Sequence, residues 1–300
     1  MKNFKRWGLI LTMIALLAAC TPTATPQSAS TLQVTVSIPP QAWLVNRLGG
    51  EWVSVQAMMT PTDDPHTYEP QPAQMAAMAE SDMYMTIGVE FEAAWLPRFT
   101  NANSRMRVVD SAAGIERLPL PEFYAVSKVT EPDHEDEHGG SDPHIWLSPE
   151  RMKQVAANMA AALAEADPDH AADYQANLEA LLAEINQTDA EVSAALAGIS
   201  RDHFMIVHPA LGYFADEYGL TMLALEAGGQ EPGPEQMAVL LDLAQQYQVT
   251  ALFVQTRTDT RQAHTIADQL GLELVSIDPM PENWPEGMMA IAKALAGALK

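Results

Sequence analysis

From Leu32 onward, apolar runs of four to eight residues alternate with segments whose apolar positions recur at helical spacing. The runs Leu32–Ile38, Trp52–Met59, Met83–Val89 and Met106–Val109 read as strands in the first half. His203–Val207, Thr221–Leu225, Ala251–Gln255 and Glu273–Ile277 repeat the pattern in the second. Helices are predicted between them at Pro72–Glu80, Pro149–Glu165, Pro234–Tyr247, Thr260–Leu270 and Pro285–Leu299. Several open on proline, which is tolerated in a first turn because the N–H it lacks has no partner there. Such alternation predicts an α/β fold: two similar lobes, each a four-stranded mostly parallel sheet flanked by helices. Between them, Tyr174, Leu178, Leu181, Leu182, Ile185, Val192 and Leu196 recur mostly at three- and four-residue steps, in a stretch with no Pro or Gly after Pro168. This predicts one long rigid linking helix of about 45 Å, with Asp167 as N-cap and Gly198 as stop. The expected divisions are an N-terminal lobe over 32–166, a linking helix over 167–198 and a C-terminal lobe over 199–300. No internal repeat is evident at the residue level.

The first 31 residues follow a different pattern. Lys2, Lys5 and Arg6 precede a short apolar run, Leu9 to Ala19. The run is too short for a membrane-spanning helix, which needs about 20 residues, and has the layout of a secretory signal. It ends in Leu17-Ala18-Ala19-Cys20, which resembles a bacterial lipoprotein signal, cleaved before the cysteine with its sulfur then acylated. Residues 1–19 are thus expected to be a signal peptide, Cys20 a lipid anchor, and 20–31, rich in Thr, Ser, Pro and Ala, a flexible tether. The mature protein is expected to be exported, lipid-anchored to the outer face of the cytoplasmic membrane or periplasmic, and soluble beyond its tether.

Composition narrows the partners. The 300 residues, 48% hydrophobic and 18% charged, have the make-up of a folded domain or two. Sixteen basic against 39 acidic residues give −23, and loss of Lys2, Lys5 and Arg6 with the signal makes this −26. Nucleic acid and anionic membrane surfaces select the opposite charge, whereas a cationic ligand suits it. A single cysteine excludes an intrachain disulfide framework and a Cys-rich zinc site.

Four proline-marked segments carry candidate metal ligands: Asp64-Pro65-His66, Asp142-Pro143-His144, His208-Pro209 and Asp278-Pro279. Open α/β sheets bind ligands beyond the carboxyl ends of their strands. Two such ends facing each other would set His66 and His144 opposite His208 and Asp278. Three imidazoles and one carboxylate suit a first-row divalent ion, Zn2+ most naturally. Each residue taken singly also has a plainer reading. A loop histidine is commonly a surface or capping residue, Asp142 and Asp278 are placed to cap turns before proline, and Tyr68, Trp146 and Tyr213 are equally suited to a core. Intervals of 60 to 80 residues match no compact zinc motif.

Asp64-Pro65-His66-Thr67-Tyr68-Glu69-Pro70 and Asp142-Pro143-His144-Ile145-Trp146-Leu147-Ser148-Pro149 resemble blocks of the metal-binding lipoproteins and periplasmic proteins of zinc and manganese ABC importers. His208-Pro209-Ala210-Leu211-Gly212-Tyr213-Phe214, Glu231-Pro232-Gly233-Pro234, Ile277-Asp278-Pro279 and Gly88-Val89-Glu90-Phe91-Glu92 with Trp95-Leu96 are similar to further blocks, so the resemblance covers about residues 32 to 300. It implies one metal buried between two lobes, held by His66, His144, His208 and Asp278, in a protein that passes Zn2+ to an importer's membrane permease; nothing in the sequence demands an oligomer, and a monomer is expected. Manganese binders of the family often have Glu at the third position, so His208 favours zinc; Mn2+ or Fe2+ carried by the same fold is the near alternative. One departure is Gln255, where the family usually has Glu, which touches a hydrogen bond behind the ligands and no ligand itself. The acidic stretch Glu131–Ser141 reads as a solvated loop. Its His134, His138 and Asp136 are also candidates for a weak second metal site, since zinc-type relatives have a longer His- and acid-rich loop there. The resemblance implies binding without chemistry. A zinc hydrolase is disfavoured because four protein ligands close the coordination shell and no Gly-x-Ser-x-Gly occurs. A surface adhesin, a role described for some relatives, has no supporting repeat.

Overall fold

The computed structural model describes residues 31–61, 63, 68–121, 140–227, 230, 232–256 and 260–300. Residues 31–300 form one compact unit. Strands β1 (Leu32–Val36), β2 (Val53–Ala57), β3 (Met83–Thr86) and β4 (Arg107–Asp110) make a sheet in the order β2-β1-β3-β4. Strands β5 (His203–Ile206), β6 (Thr221–Ala224), β7 (Ala251–Gln255) and β8 (Glu273–Ile277) repeat that order as β6-β5-β7-β8. Every pairing between these strands is parallel. The eight expected strands are all present, trimmed by up to three residues where an apolar run continues into the following loop.

The helices are α1 (Pro39–Gly49), α2 (Pro72–Ala79), α3 (Glu90–Ala102), α4 (Pro149–Ala166), α5 (Ala171–Leu196), α6 (Gly212–Tyr218), α7 (Pro234–Gln246), α8 (Thr260–Leu270) and α9 (Trp284–Ala298). The linking helix is α5, whose 26 residues span about 39 Å. Its buried stripe, Tyr174, Leu178, Leu181, Ile185, Thr188, Val192 and Leu196, faces α1, α4 and α9. The expected start needs correction. Asp167 does not cap α5: Pro168–His170 form a 3-10 turn, and the Asp167 carboxylate instead accepts from the Tyr174 hydroxyl and pairs with the His170 ring, each at 2.7 Å. Gly198 is not among the residues of positive φ, and α5 runs out through Ala197 without a left-handed cap.

One apolar core runs through both lobes. It joins Val34, Val36, Tyr84 and Met85 of the first sheet to α4, α5 and α9 and to Phe204, Ile206 and Phe253 of the second. Side chains alternate across a strand, so Met205, Leu223 and Leu252 face the other way, into a smaller cluster with Leu240 and Ala244 of α7 and Ala267 of α8. Among the described residues no helix is long and apolar enough to cross a membrane.

Candidate metal centre

In each sheet the first strand lies between the second and third, so the connections after the first and third strands lead to opposite sides and a crevice is expected between their carboxyl ends. His208 stands two residues beyond β5, at that crevice in the second lobe. Val207 N–H donates to Phe253 O at 2.9 Å and Ala210 N–H to His208 O at 2.7 Å, which holds the His208 turn against the sheet. His144 ends the Asp142-Pro143-His144 turn ahead of α4. The two imidazoles meet with ring centroids 5.4 Å apart and planes at 72°.

Each ring is backed by a carboxylate. The buried Asp142 takes both the His144 backbone N–H, at 2.9 Å, and ring Nδ1, at 2.7 Å, on its Oδ1. Glu226, just past β6, places Oε2 at 3.3 Å from His208 Nδ1. Its own N–H donates to Val207 O at 3.0 Å, prolonging the β5–β6 pairing until the two side chains meet. A carboxylate on Nδ1 fixes the tautomer that leaves Nε2 as the lone-pair nitrogen, the arrangement usual behind metal-bound histidine. The donors this pair offers are therefore two oriented imidazole nitrogens.

The second lobe grips the His144 segment at two more points. The Tyr213 hydroxyl donates to Asp142 O at 2.8 Å. Trp146 Nε1 donates to Pro279 O at 2.7 Å, and Trp284 Nε1 to Trp146 O at 2.6 Å. Pro279 adjoins Asp278, whose Oδ1 accepts from Met280 N–H at 2.9 Å, the turn role that its position before proline suggested. Among the described residues no three His, Cys, Asp or Glu side chains group closely enough to share an ion. The structure thus brings His144 together with His208. His66, the loop candidates His134, Asp136 and His138, and Cys20 lie outside the described residues.

The flanks of the His66 segment are anchored. Asp63 accepts from Thr60 N–H at 2.7 Å. Tyr68 donates to Met58 O at 2.6 Å and meets Phe91 edge-on at 4.8 Å. Burial, then the nearby Asp63 charge, pushes the Tyr68 hydroxyl up to about 12. At the first lobe's crevice, buried Glu92 accepts from Ile87 N–H at 2.9 Å, Gly88 N–H at 2.7 Å and the Ser37 hydroxyl. Burial raises its pKa above the ordinary 4.5, against the opposing pull of those bonds and of Arg117. Arg117 donates to Ile87 O at 2.6 Å and reaches Asp142 O at 3.5 Å. Gly88, at φ +92°, is needed twice over: a Cβ there would stand 2.3 Å from the Arg117 guanidinium.

Sequence reasoning missed Glu226 and the linking roles of Arg117 and Tyr213. Glu226 has no local signal, since it reaches His208 only through strand pairing. Gln255, the noted departure, ends β7 opposite Ile277, while the carboxylate behind His208 comes from the loop just past β6.

Two parallel α/β lobes on one long helix, with a pair of carboxylate-backed histidines brought together from the turn before α4 and the end of β5, define a two-lobed binding protein. The chain belongs to the ZnuA family, the periplasmic component A of a zinc-uptake complex, whose model matches residues 34–298. A ZnuA deletion mutant with zinc bound is 36% identical and superposes with a TM-score of 0.81 over 90% of this chain and 98% of that one. A further crystal structure of ZnuA gives 36% and 0.80 over 90% and 100%. The manganese-binding lipoprotein MntA of Halalkalibacterium halodurans is 26% identical over 89% of this chain and 86% of its own. The high-affinity zinc uptake system protein ZnuA of Bacillus subtilis has the same identity and coverage.

Proposed function

We propose that the chain is the solute-binding component of a metal ABC importer, capturing Zn2+ outside the cytoplasmic membrane and passing it to the membrane permease. The observation that carries this reading is the His144–His208 pair, with rings 5.4 Å apart and a carboxylate behind each Nδ1. His66 and Asp278 complete the proposed ligand set. Two or three imidazoles favour Zn2+ over Mn2+ by softness and by the Irving–Williams order. The zinc-bound relative supports that choice, and the manganese-binding relative keeps Mn2+ as the second reading. The mechanism is binding and release, with no covalent chemistry. Residues 1–19 as signal, Cys20 as anchor and 20–31 as tether fit relatives named as lipoproteins, and the protein works as a monomer. The 131–141 loop gathers scarce zinc ahead of the tight site.

The hydrolase alternative has one feature in its favour that a reading of the loop as acidic passes over. His134-Glu135-Asp136-Glu137-His138 has the letters of the His-Glu-x-x-His zinc motif. That chemistry requires both histidines on one face of a helix, whereas this string sits between Pro132 and Gly139-Gly140 in a sequence that reads as loop.

Native mass spectrometry with elemental analysis, after dialysis of the mature chain against mixed Zn2+ and Mn2+, tests the proposal. One zinc per chain, lost in His208→Ala, is expected. Retained manganese would overturn the specificity, and no retained metal would overturn the site.

A further inference from the structure

We infer that Tyr213 is a positioning residue of the metal site, its hydroxyl setting the distance between His144 and His208. The inference rests on the reading of those two histidines as ligands.

Tyr213 is fully buried at the start of α6, the helix that follows the His208 turn. Its hydroxyl makes two bonds at once, donating to Asp142 O at 2.8 Å and accepting from Leu118 N–H at 3.0 Å. Asp142 N–H donates in turn to Leu118 O at 2.8 Å. The hydroxyl therefore sits on the joint between two first-lobe strands of chain, and its ring belongs to the second lobe. Asp142 is also the residue that holds the His144 ring and backbone. One tyrosine thus fastens the His144 turn to the element that carries His208.

The surroundings keep the contact close. Gly212, next in the chain, has no side chain where a Cβ would come within 2.5 Å of Asp142 Oδ2. The Arg151 guanidinium lies over the Tyr213 ring at 4.6 Å and is itself paired with Asp216 at 3.2 Å. Burial, ahead of opposing and reinforcing neighbours, raises the Tyr213 pKa above 10, so the hydroxyl keeps its proton as a donor at neutral pH. Without it, Asp142 O would retain, among the described residues, the 3.5 Å contact from Arg117. The Asp142-Pro143-His144 turn would then lose its tie to α6 and keep the Trp146 bonds further along, so that His144 could shift relative to His208 while both histidines stayed in place chemically.

The test is Tyr213→Phe in the mature chain, which keeps the ring and its packing and removes only the oxygen. Zinc affinity by chelator competition, the visible spectrum of the Co2+-loaded protein and the melting temperature of the metal-free protein are measured together. Tyr174→Phe, whose hydroxyl bonds Asp167 away from the site, is the control for loss of a buried hydroxyl. The expected result is a 10- to 100-fold weaker zinc affinity in Tyr213→Phe, on the scale of other groups that orient metal-bound histidine, with shifted Co2+ bands. Tyr174→Phe is expected to lower the melting temperature and leave affinity and spectrum alone. Wild-type affinity and spectrum in Tyr213→Phe would overturn the inference, as would equal affinity losses in both variants. His208→Ala separates the two readings. If it retains wild-type zinc binding, the ligand assignment fails; if it loses zinc while Tyr213→Phe does not, only the role of Tyr213 fails.

Discussion

Asp142 holds His144 by ring and by backbone on a single carboxylate oxygen. Asp142→Ala is expected to release the ring and weaken zinc 10- to 100-fold, or about 1.4 to 2.8 kcal/mol. Competition against a chelating dye would show it, and a Kd within twofold of wild type would mean that the ring is oriented by something else. Glu92 makes a prediction of a different kind. Its folded-state pKa lies above its ordinary value because of burial, so the native state keeps a proton over a window in which the unfolded chain has released it. The stability this lends is complete below the unfolded value, the ordinary 4.5, and is lost as pH rises through the folded one. Glu92→Gln removes the titration, so stability of the variant relative to wild type is expected to climb with pH across that window. Urea unfolding of metal-free protein at several pH values would show it, and parallel curves would assign the proton elsewhere. At this scale the sequence was uneven as a guide. Asp142 and His144 are two residues apart, and proline marks the turn between them. Glu226 and His208 are 18 apart and become neighbours only when Ile206 is set opposite Ala224 in the β5–β6 register. No pattern within a single strand contains that information.

The elements show the same division between what is local and what is not. The buried stripe of α5 follows from its three- and four-residue spacing, and its core side chains now have partners on α1, α4 and α9. Ile185 is fully buried there. Ile185→Ala is expected to cost about 2 to 5 kcal/mol through lost burial and a residual cavity, read as a lower urea midpoint with an unchanged slope. A shift below 1 kcal/mol would mean that the neighbouring helices close over the gap. The start of α5 was misjudged because Asp167, a good cap by residue type, is drawn away by the buried Tyr174 hydroxyl and the His170 ring. Helix α1 was hidden for a related reason. Pro39 and Pro40 open it, but Ile38, its N-cap, read as the end of the apolar run of β1. Helix α6 has seven residues, too few for periodicity to declare itself.

For the whole molecule, ligand binding and stability are linked by mass action. An ion that binds only the folded chain adds about 4.1 kcal/mol at a thousand times its Kd. Excess zinc is therefore expected to raise the melting temperature of the wild type and leave His208→Ala where it was; equal shifts in both would point to binding elsewhere. The eight strands were legible as two sets of four runs, whereas their order within each sheet and the merging of the lobes into one core were not, because the core depends on which faces of α5 and α9 meet. That merging has an unequal partner. The layer formed by α7 and α8 rests on its own small cluster around Met205, Leu240 and Leu252, apart from the core that ties everything else together. Cooperative units of this kind open separately. Amide protons of α7 and α8 are expected to exchange with solvent well before those of α5, and a protease acting on the native protein is expected to cut first in the layer farthest from the shared spine.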